Sequence, residues 1–292
     1  MTATTSTVRS SGVSVATGLR QAIRASGEDV VGFLQGQMSQ DIAAIAPGES
    51  RWSLLLHPQG KVSSWLRVTR LADTEFVLDV DAGWADEAIS RLERFKLRTK
   101  VDFEIMGWKS LLLFGPDAAT ADVSGASLDV ADEWAGLSVR VIFGAAPVVS
   151  GDPVEIDEDL VRALRVEAGR PAMGSELDES TIPAAAGIVD QSVSFTKGCY
   201  TGQELVARID SRGNNVPRRL VGLVAADSAI MAAGASVGAD GKEVGVITSA
   251  AISDELGSPV ALAYVGRAVE AGAEVSVGDA VAVVRDLPLV AG

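Results

Sequence analysis

The stretch Lys197-Gly198-Cys199-Tyr200-Thr201-Gly202-Gln203-Glu204, continued by LVARIDSRG to Gly213, carries more information than any other in the chain. Thr201 and Glu204 stand three apart ahead of an apolar-periodic run of Leu205, Val206 and Ile209, the spacing of a capping box in which hydroxyl and carboxylate satisfy opposite orphan amides. This predicts a helix that begins at Gly202. Cys199 then lies two residues before the cap, near the positive end of the helix dipole and two residues from Lys197, and both neighbours favour thiolate over thiol. Gly198 allows a tight turn or the close approach of a ligand. Arg208, Arg212, Arg218 and Arg219 follow as a cationic stretch. The bland alternative is a small cysteine that fills space behind a helix start.

Working outward, a Ser/Thr-rich start reads as frayed, and a short helix is expected around Asp29 to Gln37, capped by Ser26 or Asp29, with Val30, Phe33 and Leu34 on one side. Arg51 to Leu56 and Val62 to Thr69 have strand composition on either side of His57-Pro58-Gln59-Gly60, which signals a hairpin. After a strand at Glu75 to Val80 comes the clearest helix, with Ala85, Ala88, Ile89, Leu92 and Phe95 at helical spacing and Asp86 and Glu87 in its first turn. Val101 to Met106 reads as a returning strand. The same order repeats more weakly from Ser110 through an Ala/Asp helix to the strand Leu137 to Phe143. Glu158 to Ala168 is helical, with Leu160, Ala163, Leu164 and Ala168 inward. From Val216 onward, short strands punctuated by Gly and Asp suggest a small β-barrel or sandwich. The fold class is α+β: residues 1–106 with 160–215 as a first unit, 107–159 as the core of a second, and 216–292 as the barrel.

The chain has 292 residues, 25 Lys+Arg and 39 Asp+Glu, hence a net charge of −14. That length suits about two domains or three small ones. A negative field repels phosphate backbones and anionic lipid, so neither a direct nucleic-acid partner nor a membrane partner is expected. One cysteine and one histidine cannot supply a four-ligand soft-metal site, and a conventional iron–sulfur scaffold needs four thiolates. No resident metal is expected. The opening MTATTSTVRSSGV lacks an apolar core of signal-peptide length, so the expectation is a cytoplasmic protein.

Two further groups bear on chemistry. Arg91, Arg94 and Arg98, on one face of a helix with Lys96 and Lys100 nearby, are suited to carboxylates or phosphates; the alternative is a solvated helix end with dipole-favoured cations. His57 is the sole imidazole available as a base for Cys199, although no oxyanion-hole motif accompanies it. Asp79 and Asp81 alternate on a strand and carry no reading.

At KGCYTGQELVARIDSRG the chain resembles the YgfZ-type folate-binding proteins, relatives of the aminomethyltransferase (T-protein) of the glycine cleavage system. FLQGQMSQD at 33–41, LLLHPQGKV at 54–62, RLERFKLRTKV at 91–101, LRVEAGRPAMGSEL at 164–177, GVITSA and ALAYVGR agree in order. The resemblance implies two ferredoxin-like α+β units and a C-terminal barrel in a ring-like, cloverleaf arrangement around a hole for tetrahydrofolate. It also implies an accessory role in assembling or repairing iron–sulfur clusters in client proteins, including those that modify tRNA. Carried over by position, Lys197, Gly198, Cys199, Tyr200, Gly202, Gln203 and Glu204 match the motif, with Cys199 as the indispensable residue, Lys197 beside it and Arg208 among the folate contacts. The cations at 91–100 then draw the anionic folate, and binding weakens as salt rises.

There are departures. Where T-proteins carry adjacent aspartates after the hairpin glycine, Gly60 is followed by Lys61-Val62-Ser63-Ser64-Trp65. The activating carboxylate is missing, so aminomethyl transfer by that mechanism is not expected. Arg20 and Val161 stand where some YgfZ-type members have tryptophans. Three readings therefore compete: a folate-dependent iron–sulfur accessory protein, a one-carbon transferase, and a thiol hydrolase built on Cys199 and His57.

Overall fold

The computed structural model describes residues 3–213, 215–226 and 228–291. Where a frayed start is expected, helix α1 (Thr5–Ser10) forms instead. Thr4 and Thr7 cap it reciprocally, and Val8 is buried, which supplies the packing that a polar hexapeptide lacks in isolation. Strand β1 (Ser14–Thr17) follows. The chain then divides into two compact units, one of Arg20–Trp108 with Ala172–Val216, the other of Met1–Leu19, Lys109–Pro171 and Pro217–Gly292.

The first unit is built on β2 (Arg20–Ser26), β3 (Ser50–Leu56), β4 (Val62–Ala72), β5 (Glu75–Asp81) and β6 (Asp102–Ile105), antiparallel in the order β3-β4-β5-β2-β6. The expected hairpin is present, with Leu54 opposite Trp65 and Leu55 opposite Ser64. Alternation along β4 splits its side chains between two faces. Leu66 and Val68 enter an apolar core with Leu34 of α2 (Val30–Gln37) and Leu92 of α3 (Ala85–Glu93). Ser63, Trp65 and Arg67 lie on the opposite face and are also buried. Both helices start where the apolar spacing places them, although Asp29 makes no side-chain cap and accepts the Lys100 amide at 2.8 Å instead.

In the second unit, β1 joins a sheet in the order β12-β1-β7-β10-β9, formed with β7 (Lys109–Phe114), β9 (Leu128–Trp134), β10 (Leu137–Gly144) and β12 (Val154–Glu155); β8 (Val123–Ser124) and β11 (Val148–Val149) pair separately. The expected Ala/Asp helix is corrected here. A single 3-10 turn covers Ala118–Thr120 and is followed by β8 and β9, the latter a strand because Leu128, Val130 and Trp134 alternate with exposed Asp129 and Glu133 at the strand period of two. Helix α4 (Glu158–Glu167) is capped by Asp157, whose Oδ1 accepts the Leu160 amide at 2.9 Å. Its buried face is Val161, Ala163, Leu164 and Val166, while Leu160 and Ala168, expected inward, are half-buried.

The C-terminal strands β13 (Arg218–Ala225), β14 (Ser236–Ala239), β15 (Lys242–Ser253), β16 (Ser258–Gly266), β17 (Glu274–Val277) and β18 (Ala280–Arg285) close into a six-stranded barrel in the order β13-β16-β15-β14-β17-β18. Its interior is filled by small side chains, among them Val221, Ala261, Ala263, Ala282 and Val284. Such residues suit the narrow lumen of a small barrel. Val166 of α4 packs with Leu220, Val260 and Leu262 on the barrel's outer side. The remaining helices, α5 (Val189–Ser192) and α6 (Gln203–Asp210), belong to the first unit. Among the described residues no helix is long and apolar enough to cross a membrane.

Candidate functional site

Cys199 is an exposed free thiol on the loop that leads into α6. That loop is tied down from both sides. The Lys197 ammonium donates to the carbonyl oxygens of Gln35 and Met38, each at 2.6 Å, and of Gln40 at 3.0 Å, so it closes the C-terminal end of α2 where orphan carbonyls gather. It also sits 5.1 Å from the centre of the Tyr200 ring. Burial lowers its pKa to about 8, against the pull of Asp41. Burial likewise pushes the Tyr200 hydroxyl up to about 12. The amide of Thr201 donates to Gly36 O at 3.1 Å, and Gln203 Oε1 accepts the Tyr200 amide at 3.2 Å.

The helix start differs from the expected capping box. The cap is Gly202, in the left-handed region at φ 83°, with no side-chain cap bond, and α6 begins at Gln203. Thr201 instead turns its hydroxyl toward Gln37 Oε1 at 3.4 Å, and Glu204 is exposed. The reason is a close backbone approach: a Cβ at Gly202 would stand 2.5 Å from His57 O and 2.8 Å from Leu56 Cβ. Gly198 has open space around it and an ordinary φ, so it serves no tight turn.

The basic face at 91–98 is also corrected. Helix α3 stops at Glu93 and Arg98 takes φ 57°, so the three arginines share no helical face. Arg91 is buried. Its Nε and Nη2 donate to Leu56 O at 3.1 and 2.7 Å, its Nη1 donates to Gln37 Oε1 at 3.1 Å, and it lies 4.1 Å from the Phe95 ring centre. Burial, then Arg94, lower its pKa to about 10. Arg91 thus holds the end of β3 and the end of α2, the two elements that the Cys199 loop touches. Arg94, Arg98 and Arg208 remain exposed.

Among the described residues no hydrogen bond joins His57 to Cys199. His57 Nε2 and Ser63 Oγ, on either side of the hairpin turn, are buried without a hydrogen-bond partner. Such atoms are uncommon in folded proteins.

Sequence reasoning passed over the polar face of this sheet. Asp79, fully buried, accepts from Arg20 Nε at 2.7 Å and from Arg67 Nη2 at 2.6 Å. Asp81 bonds Arg20 and accepts the Met173 amide at 3.0 Å, which anchors the loop after the LRVEAG stretch. Arg20 and Arg67 lie 5.5 and 5.4 Å from the Trp52 ring centre, and Trp52 stacks on Trp65 at 4.4 Å. Trp65 Nε1 donates to Ser192 Oγ at 2.9 Å. The readable signal was the period-two placement of Trp65 and Arg67 on one strand beside Asp79 and Asp81 on the next.

Comparison with known proteins gives a consistent set of relatives. Residues 218–285, the six barrel strands, match the family described as the glycine cleavage T-protein C-terminal barrel domain. An uncharacterized protein of Haemophilus influenzae is 27% identical over 197 residues, covering 67% of this chain and 68% of that protein. The aminomethyltransferase of Corynebacterium jeikeium is 27% identical over 309 residues, 86% of this chain and 78% of the relative. The mitochondrial aminomethyltransferase of Gallus gallus is 26% identical over 281 residues, 84% and 72% respectively. The crystal structure of glycine cleavage system aminomethyltransferase T from Bartonella henselae shares the fold, with a TM-score of 0.83 at 23% identity over 97% of this chain and 88% of that one.

Proposed function

We propose that this chain binds tetrahydrofolate and acts in iron–sulfur cluster assembly or repair in cytoplasmic client enzymes, tRNA-modifying ones among them, with Cys199 as the working thiol. The observation that carries the reading is an exposed, unpaired thiol on a loop whose backbone is fixed by Lys197 to α2. One exposed cysteine can serve as a single ligand, whereas a resident cluster takes four. Folate binding is supported by the likeness to aminomethyltransferases. Bound tetrahydrofolate supplies one-carbon chemistry at its ring nitrogens. The chain's own residues hold the thiol and the hairpin in register.

The test pairs two measurements on the full-length protein. Cys199→Ala is expected to keep the thermal midpoint and tetrahydrofolate affinity of the parent while failing to support cluster-dependent enzymes in cells. Full complementation by that variant removes the assigned role of the thiol.

A second reading, one-carbon transfer, is favoured by the relatives named aminomethyltransferases. Against it, the hairpin offers Lys61, Ser63 and Ser64 in place of a carboxylate, and Asp79 and Asp81 on the neighbouring strand are occupied by Arg20, Arg67 and the Met173 amide. Tetrahydrofolate-dependent release of an aminomethyl group from a lipoyl carrier would establish it; none is expected.

A further inference from the structure

The chain that leaves α3 at Arg94 and returns toward β6 at Lys100 is a turn fixed at its base and bare at its tip. At the base, the Phe95 ring centre lies 4.1 Å from the Arg91 guanidinium, the Lys96 ammonium donates to Glu93 at 3.0 Å and stands 5.8 Å from the Phe103 ring centre, and the Lys100 amide donates to Asp29 Oδ2 at 2.8 Å. At the tip, Leu97 is 83% exposed and Arg98 takes φ 57°. A left-handed backbone is unfavourable for a residue with a Cβ and persists only where the surrounding contacts impose it. The nearby acids are already taken, Glu93 and Asp102 by Lys96 and Glu28 by Lys100. Among the described residues the side chains of Arg94 and Arg98 enter no ion pair or hydrogen bond, and both are exposed.

We propose that this turn is a docking surface for an acidic segment of a partner protein, with an apolar side chain of that segment against Leu97 and its carboxylates on Arg94 and Arg98. Charge complementarity carries the choice of occupant. Free guanidinium groups pair carboxylates through two parallel hydrogen bonds, and here two of them flank one exposed apolar side chain in a chain whose net charge is −14. A nucleic-acid strand fits less well, because that overall charge repels a long phosphate backbone and because Phe95, the aromatic residue of the turn, is packed on Arg91 and presents no free ring for base stacking. An oligoglutamate offers carboxylates and leaves Leu97 without a counterpart. Since the base of the turn is already fixed, docking orders little of this chain, which lowers the entropy lost on association. The surface makes no use of Cys199 or of folate, so the failure of either proposal leaves the other standing.

The experiment is fluorescence-anisotropy titration of the full-length protein with labelled acidic octapeptides that carry paired Leu, Ile, Met or Phe at their centre, with a serine-centred acidic peptide, a leucine-centred peptide whose acids are replaced by amides, and oligothymidylate as controls. At least one acidic, apolar-centred peptide is expected to bind with a dissociation constant of about 0.1 mM or tighter, and about fivefold or more tightly than every control. Leu97→Ser is expected to reduce its affinity to that of the serine-centred peptide, and Arg94→Gln and Arg98→Gly each to weaken it about threefold, the size of an exposed ion pair. Arg98→Gly also relieves the left-handed backbone, so its thermal midpoint is expected to stay level or rise; that result separates a docking residue from a structural one. No peptide binding up to about 1 mM, equal binding of the serine-centred peptide, tighter binding of oligothymidylate, undiminished binding in the variants, or a lowered midpoint in Arg98→Gly overturns the proposal.

Discussion

Gly60 and Gly202 meet backbone to backbone: a Cβ on Gly202 would lie 3.3 Å from Gly60 Cα, and a Cβ on Gly60 would lie 2.9 Å from Gly202 O and 2.5 Å from Leu205 Cβ. Both residues occupy the left-handed region, at φ 78° and 83°. Two segments far apart in sequence, the hairpin turn and the Cys199 loop, are joined at a seam that only residues without side chains permit.

Gly202→Ala and Gly60→Ala are therefore expected to destabilise the protein by about 2–4 kcal/mol each, from strain at positive φ and a backbone clash. Urea denaturation measures this. Gly198→Ala, with open space and an ordinary backbone, is expected to change stability by less than about 0.5 kcal/mol. A large loss at Gly198 and none at Gly202 would contradict the described seam.

Lys197 sets a pH dependence. Its folded pKa of about 8 lies below the ordinary 10.5, so between those values the unfolded chain binds more protons than the folded one. Stability then rises with pH across that window, as the burial penalty of the ammonium is relieved first in the folded state. Below pH 8 both states are protonated and the contribution is flat. Thermal midpoints of the parent and of Lys197→Met, followed from pH 7 to about 10.5, are expected to diverge in favour of the parent only in the upper part of the range.

Arg91→Ala removes three donors from two acceptors, leaving Leu56 O without its side-chain donors in a buried setting. A loss of about 2–4 kcal/mol is expected, with Arg91→Lys recovering part of it. Hydrogen exchange at the Thr201 amide is expected to quicken in Arg91→Ala, because Gln37, which also faces Thr201, loses its anchor. Unchanged exchange there would separate Arg91 from the loop.

Asp79→Asn leaves Arg20 and Arg67 buried with a weaker acceptor between them. Breaking a buried charge pair by removing one partner costs about 3–5 kcal/mol. Denaturant midpoints report the loss, and near-ultraviolet circular dichroism is expected to change as well, since Trp52 stacks against Trp65 within the same cluster.

What was legible in the sequence were features set by local pattern: the hairpin around His57-Pro58-Gln59-Gly60, helices α2, α3 and α4 from apolar spacing, and the barrel from short Gly-punctuated strands. The Ala/Asp run ahead of the strand at Leu137 reads as a helix because Ala and Asp satisfy a helical count as readily as an alternating one; β10 as a neighbour decides for β9. The capping box at Thr201 and Glu204 and the arginine face at 91–98 failed for a related reason. Spacing specifies which groups can meet along one element, and here Gly60, Leu56 and Gln37 intervene from other elements.

By itself the sequence determined the strand and helix alphabet, the acidic surface, and the isolated cysteine within a glycine-bearing loop. Only the tertiary structure decided that Lys197 closes α2, that Arg91 ties the end of β3 to the end of α2, and that Asp79 is flanked by two guanidinium groups. Those outcomes depend on which carbonyls and carboxylates lose their water on folding. That loss is a property of the packed neighbours and not of the residues beside them in the chain.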